Sequence, residues 1–221
     1  MAFFKLEQSK ALYLADFVFY GIAITALTIF LMVASPHQQW LEIITFVVLG
    51  LFSWTAIEYA LHRYILHVLQ PFRQWHTLHH RRPKALIFAP TILSAVLITT
   101  LVFLPALLVD GLWHACALTL GILTGYFTYA VTHHAIHHWN FDSEWLRNRK
   151  RWHAVHHHYN EQFGCYGVTS AFWDHVFGSA YQAPNQLPSK LKLQANARKT
   201  LRTRNVLLTT HVNTNNNAYW P

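Results

Sequence analysis

Four long apolar segments dominate the pattern of hydrophobic and polar positions along the chain. They cover approximately residues 11–34, 40–61, 85–109 and 112–131. Each is long enough for a helix to cross a hydrocarbon layer of about 30 Å. A soluble all-helical protein is the alternative, but it would need a polar shell that the remaining residues are too few to form. The pattern therefore predicts an all-α, integral-membrane protein built on a four-helix transmembrane bundle.

Short polar breaks separate the first segment from the second and the third from the fourth. The first break is SPHQQ, and the second is little more than Asp110 and Gly111. These breaks predict two helical hairpins whose turns lie on one side of the bilayer. The N-terminus, residues 62–84 and everything after about residue 132 then share the opposite side.

The basic residues of the chain all lie on that opposite side. There are 17 Lys and Arg, and none of them falls within residues 11–62 or 85–146. Because Lys and Arg collect on the cytoplasmic side of membrane proteins, we expect both termini and residues 62–84 to be cytoplasmic. The net charge of +8 then reflects orientation in the membrane, and we expect no nucleic-acid partner.

The 17 histidines include four clusters at the predicted cytoplasmic ends of the apolar segments. Residues three or four apart lie on one face of a helix, so the rings of such a cluster are expected to aim at one point. His62 and His67 are five apart, which requires either a loosened helix end or two different metal ions. The ten candidate metal ligands, in a predicted cytoplasmic histidine-rich helical cap, are His62, His67, His76, His79, His80, His133, His137, His153, His156 and His157.

A metal centre explains why so many imidazoles come together. Imidazole binds metal in its neutral form, and ten histidines fill two sites of four or five ligands each. The ligands alone fit Zn, Cu, Fe or Ni. Carboxylates are scarce, and Glu58, Glu161 and Asp174 are expected to orient an imidazole through its second nitrogen. For Asp174 the alternative is a structural role. For Glu58 the alternative is a helix-end carboxylate beside Arg63.

These histidines resemble the motifs of the fatty acid hydroxylase/sterol desaturase superfamily. The family pattern H-x4-H, H-x2-H-H, H-x3-H, H-x2-H-H is met in order by the ten candidates. The later segment YGVTSAFWDHVFG is similar to the signature G-V-T-S-x-x-W-D-x-x-F-G, and HHRRPKALIFAPT resembles the link from the second histidine box to the third span. The match covers roughly residues 45–180.

The resemblance implies a membrane enzyme with two iron ions, although zinc is possible in purified protein. It would use O2 to hydroxylate an unactivated C–H bond of a lipid, and Tyr129 would position metal-bound water. The sequence lacks the H-P-G-G haem motif that some relatives carry, so a separate cytochrome b5-like or ferredoxin-like electron donor is expected. Residues 1–184 would form the hydroxylase-like domain, and residues 185–221 a polar, basic tail.

Two features of the sequence depart from the family pattern. The family often has Y-D-x-x-H before the third box, whereas here Ala130 follows Tyr129, which puts any relay through that carboxylate in doubt. Additional histidines at positions 134, 138 and 158 leave open a shift of one residue that would replace His153 by His158.

Two other functions remain open at this stage. A lipid desaturase or sterol-type C–H oxidase would use the same metal site, because hydroxylation and desaturation can share the hydrogen-abstraction step. A non-redox metal-binding or metal-handling membrane protein would need only the histidines. Transport would require polar or ionisable residues inside the spans, and the spans offer few beyond Asp16, Glu42 and Glu58.

Overall fold

The structure, a computed structural model, describes residues 7–87, 90–140, 143–158 and 164–180. All of them lie in one unit, residues 1–181. The tail expected at residues 185–221 and the candidate Glu161 lie outside the described residues. Within the described part the protein is all-helical, and its only strand-like pairing is an isolated bridge between Glu7 and Ile87.

Seven α-helices and three short helical turns make up the described chain. The α-helices are α1 Lys10–Ala34, α2 Trp40–Ala60, α3 Phe72–Arg81, α4 Thr91–Ile98, α5 Leu104–His138, α6 Glu144–His158 and α7 Phe172–Val176. A 3₁₀ turn precedes α2 at His37–Gln39, and π-helical turns follow α2 at Leu61–Leu66 and α4 at Thr99–Phe103.

Three continuous helical stretches are long and apolar enough to cross a membrane. They run over Lys10–Ala34, His37–Leu66 and Thr91–His138, with 25, 30 and 48 residues respectively. Many of their large apolar side chains, such as Ile22, Val33 and Leu108, are exposed on the outer surface. Apolar side chains directed outward are what a hydrocarbon solvent requires, so the helices have the character of membrane spans.

The 48-residue stretch reverses its direction at Gly111. This residue has φ 80° and ψ −178°, which is outside the helical region, and glycine adopts such a positive φ without a steric penalty. The Tyr20 hydroxyl bonds Ser94 Oγ at 2.7 Å, and the Tyr20 ring lies 4.8 Å from that of Tyr126. In a straight helix Ser94 and Tyr126 would be about 48 Å apart. The reversal falls at the predicted Asp110–Gly111 turn.

Glycines allow α2 and α5 to approach closely. A Cβ atom on Gly50 would collide with the Leu118 carbonyl, and one on Gly121 would collide with the Val47 carbonyl. Small residues at such a contact let helix backbones pack directly, which is how helices associate within membranes. This contact holds the histidine-bearing ends of α2 and α5 side by side.

Candidate metal centre

The structure brings the ten candidate histidines into two groups of five. In each group the five ring nitrogens lie within 4.8 Å of one another. The first group contains His62, His67, His76, His80 and His156, and the second contains His79, His133, His137, His153 and His157. His153 belongs to the second group, whereas His158 belongs to neither group.

Two short helices, α3 and α6, each supply histidines to both groups. In α3, His76 and His80 are four residues apart and join the first group, while His79 joins the second. In α6, His153 and His157 join the second group and His156 the first. The expectation that each cluster aims at a single point was therefore wrong for these two helices. A helix turns by about 100° per residue, so each helix divides its rings between two neighbouring centres.

The π-helical turn Leu61–Leu66 explains the five-residue spacing of the first histidine pair. A π-helix closes its hydrogen bonds between residues five apart, so the helix end that carries His62 is wider than an α-helix. His62 and His67 then reach the same group. Of the two possibilities left open by the sequence, the structure has the loosened helix end.

The contacting atoms are Nε2 nitrogens throughout, at spacings that fit metal coordination. Seven Nε2–Nε2 pairs connect neighbours within the groups at 2.9–3.2 Å. Two nitrogens at right angles around an ion, each about 2.1 Å from it, would be about 3.0 Å apart. The donor set is nitrogen alone, which suits Zn, Cu, Fe and Ni. The two groups can therefore hold two metal ions.

Burial keeps these rings in the neutral form that binds metal. Desolvation, assisted by repulsion from neighbouring histidines, lowers the pKa of His79 to about 3 and that of His157 to about 2. Burial also lowers the pKa of His80 to about 2 and that of His156 to about 4. Imidazoles with such pKa values present lone pairs to a cation at neutral pH.

Backbone carbonyls fix the tautomer of two rings in the first group. The Nδ1–H of His62 donates to the Tyr166 carbonyl at 2.5 Å, and that of His156 donates to the Gly164 carbonyl at 3.1 Å. With Nδ1 protonated, Nε2 is left free for a metal. The segment Gly164–Ser170 therefore orients the ligands, a role that the sequence signature did not specify.

Glu58 holds this segment in place. Its Oε1 accepts hydrogen bonds from the backbone N–H groups of Val168 and Thr169 at 2.7 and 3.0 Å, and its Oε2 accepts from the Thr169 hydroxyl. Glu58 thus acts on the histidines through the loop, and the expectation that its carboxylate orients an imidazole directly was wrong. The alternative for Glu58 was a helix-end carboxylate beside Arg63. Among the described residues the Arg63 guanidinium bonds the Tyr59 hydroxyl, and Glu58 bonds the loop.

Asp174 plays a matching part from the other end of the loop. Its carboxylate accepts from the N–H groups of Tyr166 and Gly167, both at 2.8 Å, from the Ser179 hydroxyl and, at 3.3 Å, from the Trp152 indole. Gly167 is required here because a Cβ atom would strike Asp174 Oδ2 and the Ser170 carbonyl. Like Glu58, Asp174 supports the loop, and it bonds no histidine in the part of the chain that the structure describes. Of the two roles left open for Asp174, the structural one fits these contacts.

Tyr129 lies beside the second group. Its ring stacks on that of His133, with centroids 5.7 Å apart and planes 12° apart. The next residue, Ala130, is buried and brings no carboxylate to this place. The extra histidines of the third box face elsewhere: His134 Nδ1 bonds the Tyr13 hydroxyl at 3.0 Å, and His138 stacks on His134.

Residues 47–179 match the fatty acid hydroxylase family model. The chain belongs to the fatty acid hydroxylase family. The matched range contains both histidine groups and the loop that orients them, so the family assignment and the geometry coincide on the same part of the chain.

Relatives within the fatty acid hydroxylase family include proteins of known chemistry. A dihydroceramide fatty acyl 2-hydroxylase of Arabidopsis thaliana is 34% identical over 157 residues, covering 66% of this chain and 65% of the relative. A ceramide very long chain fatty acid hydroxylase of Saccharomyces cerevisiae is 35% identical over 161 residues, covering 66% of this chain and 40% of the relative. The chain thus spans less than two thirds of the length of these curated relatives.

A solved structure of the same family has a similar fold. It is described as full-length scs7p with only the hydroxylase domain visible, and it matches with a TM-score of 0.67 at 27% identity. The match covers 80% of this chain and 68% of the other. The helical arrangement described above is therefore that of a fatty acid hydroxylase domain.

Proposed function

We propose that this protein is a membrane-embedded lipid hydroxylase that uses O2 and two iron ions. The observation that carries the proposal is the pair of adjoining five-histidine groups at one end of the apolar helices, in a member of the fatty acid hydroxylase family. All ten histidines of the two groups serve as metal ligands. A C–H bond of a fatty acyl chain is replaced by C–O–H.

Iron is proposed because the reaction requires a redox-active metal. Zinc has no redox chemistry, although both metals suit imidazole, so zinc found in purified protein would be compatible with iron as the working metal. When bound, the two irons would supply O2 activation and C–H cleavage. One oxygen atom enters the lipid and the other leaves as water, and the balance requires two electrons and two protons. A separate one-electron donor, cytochrome b5-like or ferredoxin-like, supplies the electrons.

The residues of the chain hold and shield the site. The Tyr166 and Gly164 carbonyls keep the Nε2 atoms of His62 and His156 directed at the metal, and Glu58 and Asp174 keep those carbonyls in place. Tyr129, stacked on His133, is proposed to hold a water molecule near the second group. Burial of the histidines excludes bulk water from the reacting carbon.

The substrate is proposed to be a fatty acyl lipid that enters from the bilayer. Relatives are named for action on dihydroceramide fatty acyl chains and on ceramide very long chain fatty acids. An acyl chain can approach a centre at the end of a membrane helix bundle without crossing water. An amide-linked acyl chain, hydroxylated near its amide, is therefore the substrate class that we propose.

The membrane topology is part of the proposal. The stretch Thr91–His138 would cross the membrane twice, with Gly111 in the turn, which gives four spans in all. The histidines would form a cap on the cytoplasmic side, where the Lys and Arg residues also lie. Residues 1–184 would form the hydroxylase domain, residues 185–221 a basic tail, and both termini would be cytoplasmic.

The decisive test is lipid mass spectrometry of cells with and without the protein, grown under ¹⁸O2. The proposal requires a lipid that has gained one ¹⁸O atom only where the protein is present. A lipid that has lost two hydrogens without label would show a desaturase instead. If no lipid changes although a reductant is supplied, the hydroxylase assignment is wrong and a non-redox metal function would replace it.

A further inference from the structure

Helices α1 and α5 pack in a register that can be read from two contacts. The Tyr13 hydroxyl bonds His134 Nδ1 at 3.0 Å, and the Tyr20 ring lies 4.8 Å from that of Tyr126. The residue number rises along α1 while it falls along α5, so the two helices run antiparallel. Asp16 shares the buried face of α1 with Tyr13 and Tyr20. It therefore lies at the level of Ala130, midway between Tyr126 and His134.

Asp16 is an acidic residue buried inside an apolar helix. Its exposed fraction is 3%, and the first two apolar segments contain no Lys or Arg that could neutralise it. Its Oδ1 accepts a hydrogen bond from the Thr91 hydroxyl at 2.5 Å, whereas Oδ2 accepts none from any residue that the structure describes. A buried carboxylate is costly, and within a membrane span an ionisable residue generally marks a functional site.

A second polar group near Asp16 also lacks a partner. The Tyr126 side chain is buried, and its hydroxyl lies near Ser94 but makes no well-aligned hydrogen bond with any residue that the structure describes. Tyr20 connects the two residues, because its ring lies 4.8 Å from that of Tyr126 and its hydroxyl donates to the carbonyl of Thr91, the residue whose hydroxyl bonds Asp16. An acceptor and a donor thus lie near one another in the membrane interior, each with unused capacity. Buried polar groups normally have partners, which indicates that a ligand completes them.

The pair lies near the metal centre but is separate from it. Asp16 belongs to neither histidine group. Ala130, at its level, follows Tyr129, whose ring stacks on His133 of the second group. Ala130 and His134 are four positions apart on the helix, which corresponds to about 6 Å along its axis. A polar group held beside Asp16 would therefore leave the adjoining carbons of its lipid within reach of the second histidine group.

We propose that Asp16 and Tyr126 form a subsite for the amide of the lipid substrate. Asp16 accepts a hydrogen bond from the amide N–H, and Tyr126 donates its hydroxyl proton to the amide carbonyl. Both are positioning residues that fix which carbon faces the metals. The carboxylate of this subsite is that of Asp16 on α1. It lies at the level of Ala130 on α5, the position where the family pattern Y-D-x-x-H has an aspartate. The inference rests on the proposed hydroxylase function.

A purely structural role for Asp16 makes a different prediction. In that case its bond to Thr91 would only tie α1 to α4, and the substitution Thr91→Val would have the same effect as any change at Asp16. If Asp16 binds the substrate, Thr91→Val lowers the melting temperature but leaves the preference for amide lipids intact.

The experiment compares two lipids on the purified full-length protein in detergent micelles. One is N-hexadecanoyl dihydrosphingosine, and the other is its N-methyl amide, which lacks the N–H donor. The measurements are thermal stabilisation by each lipid, KM and kcat with a chemical reductant, and metal content. We expect the wild type to bind the N–H lipid about 10-fold more tightly, because hydrogen bonds to charged groups are the stronger ones.

Substitutions then show which residues cause the preference for the N–H lipid. Asp16→Leu, which removes both carboxylate oxygens, should raise KM for the N–H lipid about 10-fold while metal content stays unchanged, and it should remove the preference over the N-methyl lipid. Tyr126→Phe should weaken binding of both lipids. The double variant Asp16→Ala/Ala130→Asp transfers the carboxylate from α1 to α5. It should restore part of the preference for the N–H lipid over the N-methyl lipid.

The outcomes separate the two proposals. If the wild type oxidises neither lipid but still prefers the N–H lipid in the stabilisation assay, the subsite stands and the hydroxylase proposal fails. If the wild type binds both lipids equally, or if Asp16→Leu retains the preference, the subsite is wrong. The same holds if Asp16→Leu and Thr91→Val lower the melting temperature equally and alter nothing else.

Discussion

The rings of His80 and His157 stack on one another, with centroids 4.3 Å apart and planes 11° apart. His80 belongs to the first histidine group and His157 to the second, so this stack joins the two groups. The two helices that supply the rings, α3 and α6, each contribute histidines to both groups. The two centres are therefore built as one unit, and a ligand lost from one of them is expected to disturb the other.

His157→Ala should abolish turnover and lower the metal content. The substitution removes one nitrogen of the second group and leaves a cavity beside His80. We expect activity to fall at least about 100-fold, since loss of residues that merely orient metal ligands already costs about 10–100-fold. Metal content, measured by mass spectrometry of the purified protein, should fall from two ions toward one.

His138→Ala is the matched control for that substitution. His138 lies in neither histidine group and stacks on His134. Metal content and turnover should stay near the wild-type values. Metal loss in this variant, with retention in His157→Ala, would show that the ligand assignment is wrong at the third and fourth boxes.

Glu58→Ala should weaken metal binding without touching a histidine. The substitution leaves the buried N–H groups of Val168 and Thr169 without their acceptor, at a cost of about 1–3 kcal/mol for each. The loop would then release the Tyr166 carbonyl that orients His62. We expect metal affinity to fall about 10–100-fold, as measured by competition with a chelator.

Two variants on the same helix sharpen this test. Glu58→Gln keeps one carbonyl oxygen as an acceptor and should recover much of the affinity. Glu42→Ala, which removes an exposed carboxylate bonded to His114 at the other end of α2, should leave metal binding unchanged. Equal metal affinity in Glu58→Ala and the wild type would contradict the proposed support of the loop.

The sequence was sufficient to predict which histidines come together, because helical periodicity places them on few faces. The sequence was not sufficient to predict how the ten histidines are distributed between the two groups. Whether His79 pairs with His76 or with His133 depends on how α3 is rotated between α2 and α5, and that rotation is a tertiary property. The π-helical turn at Leu61–Leu66 was anticipated only as one of two ways to reconcile a five-residue spacing.

The roles of Glu58 and Asp174 show where local reasoning from sequence stops. Both were recognised as the few carboxylates near the boxes, yet both contact backbone N–H groups of a loop that lies 110 residues beyond Glu58. Nothing in the local pattern of α2 indicates such a partner. The signal that the sequence does offer lies in the loop itself, where Gly164 and Gly167 stand among aromatic residues, and glycine is typical of tight turns.

Gly121→Ala should destabilise the protein, whereas Gly21→Ala should not. A Cβ atom at Gly121 would meet the backbone of α2 at Val47 and Leu51, and neither backbone can move aside easily. At Gly21 a Cβ atom meets nothing within 4 Å, and alanine favours a helix over glycine by about 1 kcal/mol. Melting temperatures in detergent should therefore fall for the first variant and rise slightly or stay constant for the second. A similar fall in both would show that the contact between α2 and α5 is looser than described.

The metal-free protein should lose stability as the pH falls below about 6.5. Burial lowers the folded-state pKa of His79 to about 3 and that of His156 to about 4, whereas unfolded histidine titrates near pH 6.5. Between these values the unfolded chain binds protons that the folded chain does not bind, so acid favours unfolding. The stabilising contribution is complete above about pH 6.5 and is lost progressively toward pH 4. Melting temperatures of chelator-treated protein at pH 7.5, 6.5, 5.5 and 4.5 test this, and values that do not change with pH would contradict the burial of neutral rings.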